Sequence, residues 1–184
     1  MRRLTVALGG VVGTAVLALS VALSGPVESA GGATAVLKDS TGRDAGYVRI
    51  AGAGRSRVVV QAVVTGASSL APGFHGFHIH ATGSCIGPSF ASAGGHLGHA
   101  EGQLHDDHAG DMPSLLVKAD HTALLTFETD RALLDRVLDA DGAAVIVHAG
   151  ADNFANIPAR YGTPDATTLA TGDAGSRALC GELR

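Results

Sequence analysis

Histidines are concentrated in one short part of this chain. Seven of the nine histidines lie within residues 75–108, interleaved with aspartates, and the run continues to Asp111. Imidazole is the commonest metal-binding side chain in proteins, and carboxylate oxygens often complete its zinc sites. Buried imidazoles need polar partners, whereas imidazoles on the surface gain nothing from clustering. The composition of this segment therefore predicts a metal centre.

The sequence Phe-His-Ile-His at residues 77–80 has the alternation of a β-strand. Alternate residues of a strand share a face, so His78 and His80 point to the same side and form one half of a metal site. His75 has the opposite parity, and we interpret it as a structural histidine that bonds to the backbone. His148 ends another apolar run and is a candidate to join the pair.

A second group of potential ligands follows within one segment. Three imidazoles and a carboxylate from one loop would form a closed tetrahedral zinc site of the structural kind. The pattern H-E-x-x-H is absent, so a thermolysin-like protease is not supported. The residues of this second group are His96, His99, His105, His108 and Asp111.

Two further polar residues have suggestive positions. Asp152 lies four residues after His148, where a carboxylate could orient ligand imidazoles. Arg177 lies three residues before Cys180 and places a permanent cation near the end of the chain. From the residues alone, this cation either attracts an anion or is a surface charge.

The elements that must position these residues are short apolar runs between glycine-rich or polar turns. The chain has 26 glycines and no tryptophan, which favours tight turns over long helices. About seven or eight such runs predict a β-sandwich or barrel. Residues 131–138 fit one short helical turn or a covered loop, and two long segments, 81–111 and 149–179, are typical of functional loops. The predicted strands are residues 33–37, 45–50, 58–64, 74–80, 114–118, 123–129 and 143–148.

Residues 1–30 differ in composition from the rest. Two arginines precede a nearly uncharged run that a glycine-proline pair ends, which is the layout of a signal peptide, although the run also fits an N-terminal membrane anchor. Either interpretation places residues 31–184 outside the cytoplasm as one domain. An even number of cysteines in an exported protein predicts a disulfide between Cys85 and Cys180.

The overall charge excludes one class of partner. The net charge is −4, and the chain has two lysines and no long basic run. Affinity for nucleic acid depends on basic side chains that neutralise phosphates. We therefore expect no nucleic-acid partner, and no membrane contact beyond the possible N-terminal anchor.

Five motifs, in order along the chain, resemble the exported bacterial copper/zinc superoxide dismutases. They are G-F-H-G-F-H-I-H, S-A-G-G-H, H-A-G-D, V-I-V-H-A-G-A-D-N and G-D-A-G-S-R-A-L-C-G. The likeness spans residues 33–184. It implies a flattened eight-stranded Greek-key β-barrel with two long functional loops.

The resemblance also implies the metal ligands, with His96 shared between a copper and a zinc ion. For the third zinc histidine we favour His105 over His99, because His99 is so close to His96 that it would force a tight turn. Asp152 matches an aspartate that links ligands of both metals, Arg177 matches an arginine beside the copper, and the two cysteines match the family disulfide. The implied copper ligands are His78, His80, His96 and His148, and the implied zinc ligands are His96, His105, His108 and Asp111.

The implied activity is the dismutation of superoxide to dioxygen and hydrogen peroxide through alternating Cu(II) and Cu(I). His96 would release copper on reduction and pass a proton to the product, while Arg177 would draw in the anion. The resemblance allows a homodimer, for which the sequence shows no decisive patch. Three alternatives are an exported copper-binding protein of the same fold without catalysis, a copper site without functional zinc, and a cupin, although no glutamate lies between His80 and Glu101.

Overall fold

The computed structural model describes residues 31–184, apart from Arg55, Leu133 and the side chain of Glu101. The predicted signal peptide or anchor at 1–30 lies outside the described residues. Within the described part, no helix is long and apolar enough to cross a membrane. The strands are β1 Gly32–Asp39, β2 Asp44–Gly52, β3 Val58–Thr65, β4 Gly73–His75, β5 Phe77–His80, β6 Leu115–Val117, β7 Thr122–Thr129, β8 Ala143–His148 and β9 Arg177–Leu183, and the α-helices are α1 Leu134–Val137 and α2 Ala166–Thr171.

The strands form one large antiparallel sheet and one small one. The large sheet has the order β5-β8-β9-β1-β2-β3-β7, and β4 pairs with β6 in the small sheet. β4 leads into β5 through Gly76, and β6 packs against β7. The small sheet therefore connects the two edge strands of the large one, as closure of a barrel requires.

Strict alternation of side chains builds the core. Residues of β1 alternate between exposed and buried along its whole length, and every second residue of β3 is fully buried. Small and β-branched side chains fill the interior, and each buried valine or leucine stabilises the fold by about 1.5–3 kcal/mol. The all-β prediction is thus confirmed, and α1 lies within the segment predicted as a helical turn.

Strand β8 is buried on both faces. Its inner face joins the main core, and its outer face packs against Phe90 and Ala93 of the loop that follows β5. The disulfide between Cys85 and Cys180 ties this loop to β9, with the two Cα atoms 5.7 Å apart. The predicted pairing of the cysteines is confirmed. The disulfide anchors the loop to β9, and the loop packs on the adjacent strand β8, which ends in His148.

The segment 74–80 was expected to be a single strand, and the structure divides it at Gly76. The Gly76 amide donates to the carbonyl of Gly150, and the Gly76 carbonyl accepts from the amide of His148. A Cβ at position 76 would lie 2.6 Å from the Cβ of Ala174. The glycine admits two other chain segments at this point, and β4 and β5 consequently pair with different strands.

We predict that the Cys85→Ser, Cys180→Ser double variant is less stable by about 4 kcal/mol, because the disulfide closes a long loop in the unfolded chain. The loop spans 95 residues. Urea unfolding of the metal-free proteins, followed by circular dichroism, measures the difference. Wild-type protein treated with reductant should unfold at the midpoint of the variant. Equal midpoints for the variant and the oxidised wild type would contradict this role of the disulfide.

Candidate metal centre

Four imidazoles from three parts of the chain meet at one end of the barrel. β5 supplies His78 and His80 on the same face, the end of β8 supplies His148, and the loop after β5 supplies His96. One ring nitrogen of each lies within 4.8 Å of the corresponding nitrogen of the others, and all four side chains are buried. The strand parity of His78 and His80 is as predicted. We refer to these four residues as the copper group.

Each ring in the copper group has one nitrogen held by the protein and one without a partner. The Nε2–H of His78 donates to Asp152 Oδ2 at 2.7 Å, and the Nδ1–H groups of His80 and His148 donate to the carbonyls of Gly94 and Gly175, both at 2.9 Å. Within the copper group, the buried nitrogens that have no hydrogen-bond partner are His78 Nδ1, His80 Nε2, His96 Nε2 and His148 Nε2, and His105 Nδ1 is a fifth such nitrogen outside the group. Imidazoles held in this way bring their remaining ring nitrogens close together, so the donor set fits a copper ion.

A second group of donors gathers around Asp111. The Nδ1 atoms of His96, His105 and His108 lie 2.8, 3.0 and 3.1 Å from its carboxylate oxygens. His108 also holds the carbonyl of Gln103 through Nε2 at 2.9 Å. The most compact set of donor atoms here contains His78, His96, His105 and Asp111, so His108 lies slightly further out. Three imidazoles and one carboxylate are a donor set that fits zinc, and we call these residues, His96, His105, His108 and Asp111, the zinc group.

Asp152 connects the two groups. Its Oδ2 accepts from His78 of the copper group, and its Oδ1 accepts from His105 Nε2 at 2.8 Å. His99, the competing candidate, is exposed, and its Nδ1 lies 3.4 Å from His108 Nε2. The structure therefore places His105 rather than His99 beside Asp111.

Burial controls the protonation of the copper group. Desolvation, with the neighbouring His78, lowers the pKa of His96 to about 4 and that of His148 to about 3, and desolvation with His96 lowers the pKa of His80 well below its usual value. These three rings are consequently neutral near pH 7. A ring nitrogen must be unprotonated to bind a metal, so the group is ready to accept one.

In the zinc group, neighbouring charges outweigh burial in setting the pKa of His105. Burial opposes the imidazolium form of His105, but the adjacent carboxylates of Asp111 and Asp152 outweigh it and raise the pKa of His105 to about 9. Burial likewise opposes both carboxylates, yet their hydrogen bonds to histidines hold the pKa of Asp111 and that of Asp152 below the usual range. Without a metal, the proton on His105 supplies the positive charge that two buried carboxylates require.

A cavity of about 440 Å³ leads to the copper group. We call it the channel, and Arg177 lines it from the start of β9. The guanidinium of Arg177 is half-buried and donates to the carbonyls of Phe90 and Gly94 at 2.5 and 2.6 Å. Arg177 is therefore a fixed cation within the cavity, not a free surface charge. The copper-group residues that line the channel are His80, His96 and His148.

The chain matches a known family over most of its length. The family profile for copper/zinc superoxide dismutase covers residues 44–183, an interval that contains both donor groups. The chain belongs to the copper/zinc superoxide dismutase family. This membership confirms the resemblance seen in the five sequence motifs, and it excludes the cupin alternative.

Individual relatives of this dismutase-family chain agree. The protein named Cu-Zn superoxide dismutase in Mycobacterium tuberculosis is 46% identical over 141 residues, which cover 67% of this chain and 58% of that protein. The one in Caulobacter vibrioides is 32% identical over 164 residues, covering 83% and 85% of the two chains. The crystal structure of a SOD-like protein from Bacillus subtilis aligns with a TM-score of 0.67 and 28% identity, covering 82% and 97%. This chain thus spans less than two thirds of its mycobacterial relative, and the structural likeness confirms the Greek-key β-barrel.

The site also uses groups that the sequence did not single out. The carbonyls of Gly94 and Gly175 hold two copper-group rings, and the ring of Phe154 stacks on His105 with the centroids 6.4 Å apart. Backbone acceptors have no residue type of their own, so the only available signal was their place within the G-G-H and A-G-S-R motifs. His75, in contrast, binds the carbonyls of Ala71 and His148, as its strand parity predicts.

We predict that Gly172→Ala weakens zinc binding by at least about tenfold, because residues that orient metal ligands typically contribute that much affinity. Gly172 has φ +59°, and a Cβ there would collide with Asp152 Oδ1 and with the ring of His105. Competition with a colorimetric chelator measures the zinc affinity. Gly162→Ala is the matched control, since Gly162 also has positive φ but nothing within 4 Å of its Cβ position. Equal loss of zinc affinity in both variants would show that backbone strain alone is responsible.

Proposed function

We propose that this chain catalyses the dismutation of superoxide to dioxygen and hydrogen peroxide, with one copper and one zinc ion bound. The observation that carries the proposal is the set of four buried imidazole nitrogens that converge without partners. Membership of the copper/zinc superoxide dismutase family supports the same activity. The proposed copper ligands are His78, His80, His96 and His148, and the proposed zinc ligands are His96, His105, His108 and Asp111.

The bound metals would supply the redox chemistry, with copper alternating between Cu(II) and Cu(I) and zinc holding a fixed charge. The remaining work belongs to the chain itself. His96 is the one ring shared by the two groups, with Nδ1 on Asp111 and Nε2 directed into the copper group. Because His96 also lines the channel, a proton carried on Nε2 would lie beside the incoming substrate. We assign His96 the role of proton donor to the reduced product.

Arg177 provides electrostatic guidance. The chain carries a net charge of −4, so its overall field repels a small anion. A fixed cation inside the channel reverses that field locally, and such focusing raises association rates in a salt-dependent way. Arg177 also separates catalysis from the alternative of copper sequestration, because storage of a cation gains nothing from a guanidinium beside the site.

We further propose that residues 31–184 work outside the cytoplasm, with residues 1–30 directing export or serving as an anchor. The disulfide supports this placement, because such bonds persist in oxidising compartments. Fractionation of cells that express the full chain, with detection of the protein outside the cytoplasm, tests it. The homodimer that the family resemblance allows stays a prediction, and analytical ultracentrifugation measures it.

We predict that purified protein contains about one copper and about one zinc per chain and removes superoxide, because the two donor sets each fit one ion. Dialysis against a chelator should abolish the activity, and copper should restore it. Elemental analysis and a superoxide-removal assay measure both quantities. Copper binding without any superoxide removal would favour the non-catalytic copper-binding alternative.

We predict that Arg177→Ala retains both metals but slows superoxide removal by about tenfold at low ionic strength, since a channel cation steers anions. The rate of this variant should also depend less on salt concentration than the wild-type rate does. Arg177→Lys, which keeps the charge, should retain most of the rate. The visible copper spectrum checks that the copper group is intact in each variant. Wild-type rate and wild-type salt dependence in Arg177→Ala would contradict the proposed guidance.

A further inference from the structure

A second cavity reaches the metal centre from the zinc group. Its volume is about 420 Å³, and it shares no lining residue with the channel. Asp111, which gathers the zinc-group histidines, forms part of its wall. We call it the zinc-side cavity. The other lining residues used below are Asp106, Glu128, Thr129, Arg131 and Phe154.

One hydrogen-bonded pair separates the two cavities. His96 lines the channel, Asp111 lines the zinc-side cavity, and His96 Nδ1 lies 2.8 Å from Asp111 Oδ1. A cation in the zinc-side cavity therefore meets the Asp111 carboxylate first. No copper-group residue lines that cavity, and His96 lies beyond Asp111. Phe154, stacked on His105, covers the neighbouring ligand.

The charges of the two cavities favour different ions. The channel contains the guanidinium of Arg177, which attracts anions, and one exposed carboxylate, Asp173, which accepts hydrogen bonds from Asn153 and Thr168. The wall of the zinc-side cavity has an excess of negative charge, with the carboxylates of Asp106, Asp111 and Glu128 against the guanidinium of Arg131. Glu128 is also bonded to Arg57 at 2.5 Å. Carboxylates attract a nearby cation, and added salt weakens that attraction. A divalent cation is therefore drawn to the zinc-side cavity.

Arg131 lines this cavity and contacts the loop that carries the proposed zinc ligands. It follows β7, and its guanidinium donates to the carbonyl of Asp106 and lies 3.6 Å from Asp107 Oδ1. These two aspartates lie between His105 and His108 in the chain. Because Arg131 is itself exposed, its side chain can leave this position without disturbing the core.

We propose that the zinc-side cavity is the route by which zinc reaches and leaves Asp111, and that Arg131 is the gate of this route. The proposal rests on the zinc site proposed above. The two openings then serve different ions. The superoxide anion uses the channel, and the zinc cation uses the zinc-side cavity. Zinc exchange would then proceed while the substrate path stays open.

The test measures zinc uptake by zinc-free, copper-loaded protein, and zinc release to an excess of colorimetric chelator. Thr129→Trp, which enlarges a side chain in the wall of the cavity at a position that is not a proposed zinc ligand, should slow both rates by at least about fivefold and leave the zinc Kd unchanged, because a block in a route changes both rates together. Thr129→Val loses only the hydroxyl, which accepts from the Arg131 amide at 3.2 Å, and should not slow either rate. Thr126→Trp is the matched control, since Thr126 lies exposed on the same strand outside the cavity.

Two arginine variants separate the routes independently of Thr129→Trp. Arg131→Gln should speed both uptake and release by about twofold to fivefold, since an exposed charged contact is a barrier of that order. Arg160→Gln should not change either rate, because Arg160 is exposed and does not line the cavity. Arg177→Ala should leave zinc uptake unchanged, whereas it would speed uptake if zinc entered through the channel.

The outcomes distinguish this proposal from the one before it. Wild-type exchange rates in both Thr129→Trp and Arg131→Gln, or faster uptake in Arg177→Ala, would overturn the route even though zinc binds. A wild-type protein that takes up no zinc at all would instead contradict the zinc site itself.

Discussion

A buried imidazole nitrogen needs a hydrogen-bond partner or a metal ion, and six neighbouring buried rings impose that constraint on this fold. In the copper group the protein satisfies one nitrogen of each ring and leaves the other free. A buried polar atom without a partner costs about 1–3 kcal/mol, so four such atoms are a substantial burden on a fold of marginal stability. A metal that binds only the folded state removes this cost and stabilises the fold.

A single backbone carbonyl shows how closely the scaffold and the site depend on each other. The Gly94 carbonyl accepts from His80 Nδ1 and from the guanidinium of Arg177, so it orients both a proposed copper ligand and the channel cation. Gly94 lies in the loop that the disulfide ties to β9 through Cys85, where it ends a short 3-10 turn. The covalent bond, the packed outer face of β8 and the ring orientation are thus parts of one arrangement.

Patterns within short stretches of sequence predicted those features of the site that depend on residues adjacent in the chain. Strand alternation was sufficient to separate His78 and His80 from His75, and turn composition was sufficient for the all-β class. Spacing favoured His105 over His99, but the contacts that hold His105 in place were beyond spacing, because they come from Asp152 and from the carbonyl of Leu169, which accepts from the His105 amide at 2.8 Å. Both partners are more than forty residues away in the chain, so no local pattern contains them.

The same contacts make the zinc group and the channel wall parts of one system. Helix α2 lines the channel with Thr167, Ala170 and Thr171, and its Leu169 carbonyl holds the backbone of His105. Asp152 holds the other end of that ring and, through its second oxygen, His78. His105 is therefore the residue at which the supports of the channel wall, of the zinc group and, through Asp152, of the copper group meet.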